Sequence, residues 1–131
     1  MIIGLGCDIV NIERINKSEK FLEHFQAKIL GPREQREIRD KLPLSQQEYA
    51  SLLAKYYAAK EAFAKALGTG FRDGIFLKDI EVLHTPLGKP ELKISGQAGS
   101  VLEKMADKSN LFVSLSDDYP YAEAVVIIDR N

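Results

Sequence analysis

One stretch constrains the chain more than any other. From Ser45 to about Leu67 there is no proline or glycine, and Ala, Leu, Lys and Glu supply most of the residues. Ser45 followed three positions later by Glu48 is the capping-box pattern of a helix start. Tyr49, Leu53, Tyr56, Phe63 and Leu67 supply an apolar stripe, and Gly68-Thr69-Gly70 follows. The pattern predicts one long helix on which the remainder has to be assembled. Ahead of it, Ile2 to Val10 is rich in β-branched residues and reads as a strand, and Asn11 caps a short turn through Ile12 and Ile15. Glu19 to Leu30 is a helix with Phe21, Leu22, Phe25 and Ile29 on one side, ended by Gly31-Pro32. Pro32 then opens a charged helix through Asp40, and Pro43 breaks it.

After Gly70 the pattern turns to strands. Asp79 to Leu83 and Glu91 to Ser95 are joined by a turn containing Leu87-Gly88-Lys89-Pro90, and Gln97 to Lys108 is a helix. Leu111 to Ser116 and Tyr121 to Ile128 form a closing hairpin, with Asp117 to Pro120 between them. Helices segregated from meander strands predict an α+β fold, an antiparallel sheet packed with the one long helix. At 131 residues, the chain fits a single domain, 1–131.

Composition removes several function classes. A net charge of −1 gives no global case for nucleic acid. The apolar start MIIGLGCDIV is short, lacks a basic region and meets Asp8, so it is not read as a signal peptide. No apolar run reaches the ~20 residues of a membrane span. The lone Cys7 closes no internal disulfide, and one Cys with two His leaves no room for a zinc cluster. The default location is reducing and cytoplasmic.

Three residues could carry chemistry. Asp8 interrupts an apolar strand in which alternation sets Ile2, Gly4, Gly6, Asp8 and Val10 on one face. A carboxylate there is costly to bury without a cation, donors or a metal, and Gly4 and Gly6 clear space beside it. Equally, Asp8 could stand at the strand's end and cap the turn at Asn11. Glu61 and Lys65, four apart, share a helix face, which by itself is the spacing of an ordinary surface ion pair. That face continues into Gly68, Thr69 and Gly70, a loop able to approach an anion or simply to stop the helix. The dipole at a helix C-terminus disfavours phosphate, so Lys65 would have to outweigh it. If Asp8 and Glu61 face each other, they form an oxygen-only site suited to Mg²⁺ with substrate phosphates, a phosphoryl-transfer constellation.

Four blocks then acquire a common meaning. "GLGCDIVNIERI" at Gly4–Ile15, "AAKEAFAKALGTG" at Ala58–Gly70, "LGKP" at Leu87–Pro90 and "VSLSDDYPYAEAVVI" at Val113–Ile127 resemble the bacterial holo-[acyl-carrier-protein] synthases, the short type of 4′-phosphopantetheinyl transferase. The resemblance spans nearly the whole chain and the blocks fall in the family's order. It implies transfer of 4′-phosphopantetheine from coenzyme A to a serine of apo-acyl carrier protein, with release of 3′,5′-ADP, in support of fatty acid biosynthesis. Asp8 and Glu61 would be the Mg²⁺ ligands and Lys65 the lysine at the pyrophosphate. Gly68, Thr69 and Gly70 would lie near the nucleotide, and Gly88, Lys89 and Pro90 towards its adenine end. Glu61, or a metal-bound water that it orients, would take the serine proton while Lys65 meets the departing oxygen. Arg14 matches a family arginine that docks the acidic carrier. Arg33, Arg36 and Arg39 could extend that patch, but the acids among them favour a solvated face. The family is homotrimeric, with sites in clefts between subunits.

The chain departs from the family pattern in two places. Many relatives have Arg in "RFAxKEA" where Tyr56 stands, so Lys55 is the residue left to replace one phosphate contact. Many also have His at the position of Asp117, which here either accepts a hydrogen bond from the nucleotide or begins the turn, and turn chemistry favours the latter. His24 and His84 carry no motif and read as structural or surface groups. The competing readings are a coenzyme A or nucleotide-binding module without catalysis, which would make no use of an Asp8–Glu61 pairing, and a structural protein whose acidic pair is a buried network.

Overall fold

A computed structural model describes residues 1–72 and 74–131. The elements run β1 (Ile2–Asn11), α1 (Glu19–Ile29), α2 (Pro32–Arg39), α3 (Gln46–Leu67), β2 (Ile80–His84), β3 (Pro90–Ile94), α4 (Gly96–Met105), β4 (Ser109–Asp118) and β5 (Tyr121–Arg130). They form two antiparallel sheets, one of three strands in the order β1-β5-β4 and one pairing β2 with β3. This is the expected α+β arrangement, with the strands divided between two sheets.

Helix α3 is the spine. Ser45 Oγ accepts from the Glu48 N–H at 3.1 Å, and Glu48 Oε1 accepts from the Ser45 N–H at 3.1 Å, closing the capping box. At the other end Gly68 takes a left-handed φ of 82° that glycine adopts without strain. Leu53, Tyr56 and Phe63 are buried as the stripe predicts, but so are Ala50, Ala54, Ala58, Ala59, Ala62, Ala64 and Ala66. The helix is covered on most sides, as an alanine-rich core helix can be.

Strand β1 lies directly on this alanine surface. A Cβ at Gly6 would overlap the Ala62 carbonyl oxygen, and one at Gly4 the Ala66 carbonyl oxygen. The paired glycines therefore let strand backbone touch helix backbone. That contact holds Asp8, two residues further on, beside the last turns of α3. Across the sheet Asp8 pairs with Ala124 of β5, another small residue.

The register corrects one expectation. It slips between Ile2 and Gly4, so one residue of β1 is extra. Ile2 turns outward at 61% exposure instead of joining the Gly4 face, and Ile3 packs on the core. The hairpin is also tighter than expected. β4 runs through Asp118, leaving Tyr119-Pro120 as the turn, so Asp117 is a strand residue opposite Ala122. α4 stops at Met105, short of Lys108, because β4 already begins at Ser109.

A buried polar hub joins the second sheet to α3. Lys60 Nζ donates to Glu34 Oε1 at 2.7 Å, to the Leu77 carbonyl at 3.2 Å and to the Ile80 carbonyl. Glu34 also accepts from the N–H groups of Gly31 and Val82, each at 2.9 Å. Glu81 accepts from the Arg33 side chain and the Arg33 N–H, both at 2.8 Å. Burial pushes the Glu34 carboxyl up and the Lys60 ammonium down, while their mutual attraction opposes both shifts. Three donors around the carboxylate and three acceptors around the ammonium describe a charged pair with its hydrogen bonds met.

Candidate active site

Three residues of α3, Tyr57, Glu61 and Lys65, recur at every fourth position and so share one face. That face meets the end of β1. Lys65 Nζ donates to Asp8 Oδ1 at 3.0 Å and to the Cys7 carbonyl at 3.0 Å. Asp8 and Glu61 line the same cleft, about 430 Å³ in volume, together with Asn11, Arg14, Phe25 and Tyr57. The two acids, 53 positions apart in the sequence (61 minus 8), are thus brought to one place.

The electrostatics follow from these contacts. The hydrogen bond to Asp8 raises the Lys65 ammonium above its ordinary value, so it stays charged at neutral pH. The Tyr57 hydroxyl is pushed up to about 12, first by burial, then by the neighbouring Glu61 carboxylate and the charge of Asp8. It is therefore neutral at physiological pH. The Tyr57 ring also meets Phe25 of α1, centroids 5.5 Å apart, and Phe25 stacks with Phe21 at 6.2 Å. Arg14 is exposed on a short 3₁₀ turn, Ile12–Arg14, whose start is capped by Asn11 Oδ1 accepting from the Glu13 N–H at 3.0 Å. Asn11 performs the capping that Asp8 could have performed, which leaves Asp8 to the cleft.

The other sequence candidates lie differently. At Gly68–Gly70 the Gly68 N–H bonds the Lys65 carbonyl at 3.0 Å and the Gly70 N–H bonds the Ala64 carbonyl at 3.2 Å. Those two amides terminate α3, and the loop stops the helix, leaving the Thr69 amide to offer to an anion. Gly88, Lys89 and Pro90 sit at the β2–β3 turn and are not among the residues lining the Asp8–Glu61 cleft. Gly88 takes φ 92° and Lys89 donates its N–H to Thr85 Oγ1 at 3.1 Å. Tyr56 is in the core, against His84 with centroids 6.0 Å apart, and its hydroxyl has no hydrogen-bond partner among the described residues. It does not face solvent as a phosphate-binding arginine would. Lys55 instead pairs with Asp117 at 3.2 Å across a second cleft of about 370 Å³. His84 is structural, its Nδ1 2.6 Å from Glu37 Oε1, and His24 is exposed.

Two cleft residues, Tyr57 and Phe25, were not singled out as site residues from the sequence. The four-residue spacing to Glu61 and Lys65 could have found Tyr57. Phe25 sits in an ordinary apolar stripe, and only the packing of α1 on α3 reveals it.

The donor set has a definite metal chemistry. Among the described residues no three His, Cys, Asp or Glu cluster as a metal site. Two carboxylates with open volume beside them fit a hard cation that takes its remaining ligands from water and substrate phosphates, as Mg²⁺ does, and do not fit a closed zinc centre.

A small α+β chain with an acid on its first strand and a Lys-Glu-Ala helix across it defines a class, and the comparisons agree. Residues 4–124 match the profile of the 4′-phosphopantetheinyl transferase superfamily, and the chain belongs to that family. Its relatives narrow the likeness. It is 43% identical over 133 residues to the holo-[acyl-carrier-protein] synthase of Sphingopyxis alaskensis, covering 98% of this chain and 97% of that one. Its fold resembles the crystal structure of the Neisseria meningitidis holo-[acyl-carrier-protein] synthase, with TM-score 0.83, 37% identity and coverage of 99% and 100%. It also resembles the Bacillus anthracis synthase in complex with CoA (3′,5′-ADP), with TM-score 0.78, 32% identity and coverage of 100% and 99%.

Proposed function

We propose that this protein transfers 4′-phosphopantetheine from coenzyme A to a serine of apo-acyl carrier protein, releasing 3′,5′-ADP, with Mg²⁺ as cofactor. The observation that carries the reading is the convergence of Asp8 and Glu61 on one cleft with Lys65 bound to Asp8. Asp8 and Glu61 would hold the metal. When bound, Mg²⁺ supplies charge neutralisation and polarisation at the pyrophosphate.

The chain's own groups do the rest. Lys65 meets the pyrophosphate and stabilises charge on the departing oxygen. Glu61, one helical turn from Tyr57, accepts the proton of the attacking serine, directly or through a water it orients. The serine Oγ forms its bond to the β-phosphorus, the bond from that phosphorus to the bridging oxygen breaks, and its electron pair leaves with 3′,5′-ADP. Arg14, exposed and lining the cleft, would meet the acidic carrier. The exposed thiol of Cys7 fits a reducing cytoplasm, and the product carrier fits fatty acid biosynthesis.

The outer face of the three-stranded sheet supports a homotrimer. Leu5 and Ile9 of β1 are 64% and 63% exposed and Phe112 of β4 is 49% exposed. Leu5 and Phe112 flank the same residue, Ile127 of β5. Exposed large apolar residues gathered on one sheet face mark an association site. The test of the function is the intact mass of an apo-acyl carrier protein incubated with the protein, coenzyme A and Mg²⁺. A gain of one phosphopantetheinyl group is expected with the wild type and not with Asp8→Asn. An unmodified carrier would overturn the assignment.

A further inference from the structure

Asp8 already has a cationic partner in the free protein. Lys65 Nζ is fixed by two acceptors on β1, Asp8 Oδ1 and the Cys7 carbonyl, each at 3.0 Å. The Asp8 side chain is only 16% exposed, whereas that of Lys65 is 54% exposed. The acid is held in place and the lysine can swing. Against the two negative charges of Asp8 and Glu61 stand two cations, Lys65 bound to Asp8 and Arg14 in the cleft lining. Such a neutral group has little attraction for a bare divalent ion, and an ammonium on the same carboxylate oxygen repels it. A pyrophosphate changes that balance. It offers Lys65 stronger acceptors, and it supplies the oxygens a Mg²⁺ site with two carboxylates lacks.

From this arrangement we infer that Lys65 is an internal competitor of the metal: it occupies Asp8 in the free protein and releases it when a diphosphate-bearing substrate draws the ammonium away. Metal and coenzyme A then bind with positive coupling, and by linkage each tightens the other by the same factor. The inference rests on the proposed metal site and adds an order to its filling. Lys65 has two successive roles, counter-ion of Asp8 and then partner of the pyrophosphate. The catalytic lysine thereby guards the site against metal arriving without substrate.

The test is Mn²⁺ binding followed by electron paramagnetic resonance, first with Mn²⁺ alone and then with Mn²⁺ and coenzyme A. The wild type should bind Mn²⁺ alone weakly and much more tightly with coenzyme A present. Lys65→Met should tighten binding of Mn²⁺ alone by about tenfold and shrink the coupling to coenzyme A. Lys65→Gln, which keeps a donor without the charge, should tighten it in the same direction. Adding Asp8→Asn to Lys65→Met should abolish the gain. If the wild type binds Mn²⁺ with coenzyme A but neither Lys65 variant binds Mn²⁺ alone more tightly, the competition is wrong and the metal site stands. If the wild type binds no Mn²⁺ even with coenzyme A, both the site and the competition are wrong.

Discussion

Arg14 shows how little a single residue has to do to matter here. It is exposed, on a short turn held by Asn11, and it lines the cleft that contains both acids. A rim charge of this kind mainly steers an oppositely charged partner during encounter. Arg14→Glu should lower kcat/KM for the acyl carrier protein about tenfold at low salt, leave KM for coenzyme A unchanged, and lose most of its effect above about 0.5 M salt, where screening is strong. Steady-state kinetics at two ionic strengths check this, and an unaltered carrier kcat/KM would remove Arg14 from docking. Asp8, Glu61 and Lys65 were singled out by local signals, a charge in an apolar strand and a four-residue spacing, whereas Arg14 was reached only through the family resemblance. Tyr56 was legible as part of the buried α3 stripe but not in its site role, and the place of Asp117 was not legible. Whether a tyrosine faces the core or a ligand depends on what packs above it, here His84. Whether an aspartate starts a turn or ends a strand depends on register, here fixed by the pairing of Asp117 with Ala122.

At the scale of elements, α3 is secured by its cap and by Lys60. Hydrogen bonds from Ser45 hold the Glu48 carboxyl below its ordinary value of 4.5. A depressed folded-state value means the carboxylate's contribution is present above 4.5 and lost as pH falls through the lower folded value. Thermal melts of Glu48→Gln should therefore show a weaker acid-side decline than the wild type, and identical profiles would exclude the cap as a source of that decline. Lys60 is fully buried with Glu34. Lys60→Met leaves the Glu34 carboxylate buried without its cation and should cost about 3–5 kcal/mol, read by chemical denaturation. Adding Glu34→Gln should recover most of that loss, and a double variant as unstable as the single would show that the pair is not the cause. From the sequence, Lys60 is one more helix lysine beside Glu61. Nothing local says that α2 and β2 close over it. The strands and helices themselves were legible to within a few residues, because alternation, caps and prolines are written locally. The extra residue in β1 and the close seat of Ala62 and Ala66 under Gly4 and Gly6 were not, since both depend on how the strand meets the helix.

At the scale of the whole molecule, exposed Leu5, Ile9 and Phe112 lie on the three-stranded sheet, and Ile9 also lines the cleft of the two acids. If their face of the sheet is covered by copies of the chain, a charge placed in it should prevent assembly. Leu5→Glu should convert an oligomer of three subunits to a monomer in sedimentation experiments, with transfer activity falling alongside if neighbouring subunits complete the site. A wild type that sediments as a monomer at micromolar concentration would contradict the trimer. β1 and α3 pack backbone to backbone at Gly4 and Gly6, and the proposed metal site requires that the two distant acids, Asp8 and Glu61, then share one cation at a substrate pyrophosphate. Anomalous diffraction from crystals grown with Mn²⁺ and coenzyme A checks this. A single peak is expected within bonding reach of an oxygen of Asp8, an oxygen of Glu61 and a coenzyme A phosphate. A peak bound by only one of the two acids, or coenzyme A seated in the cleft with no peak between them, would contradict it.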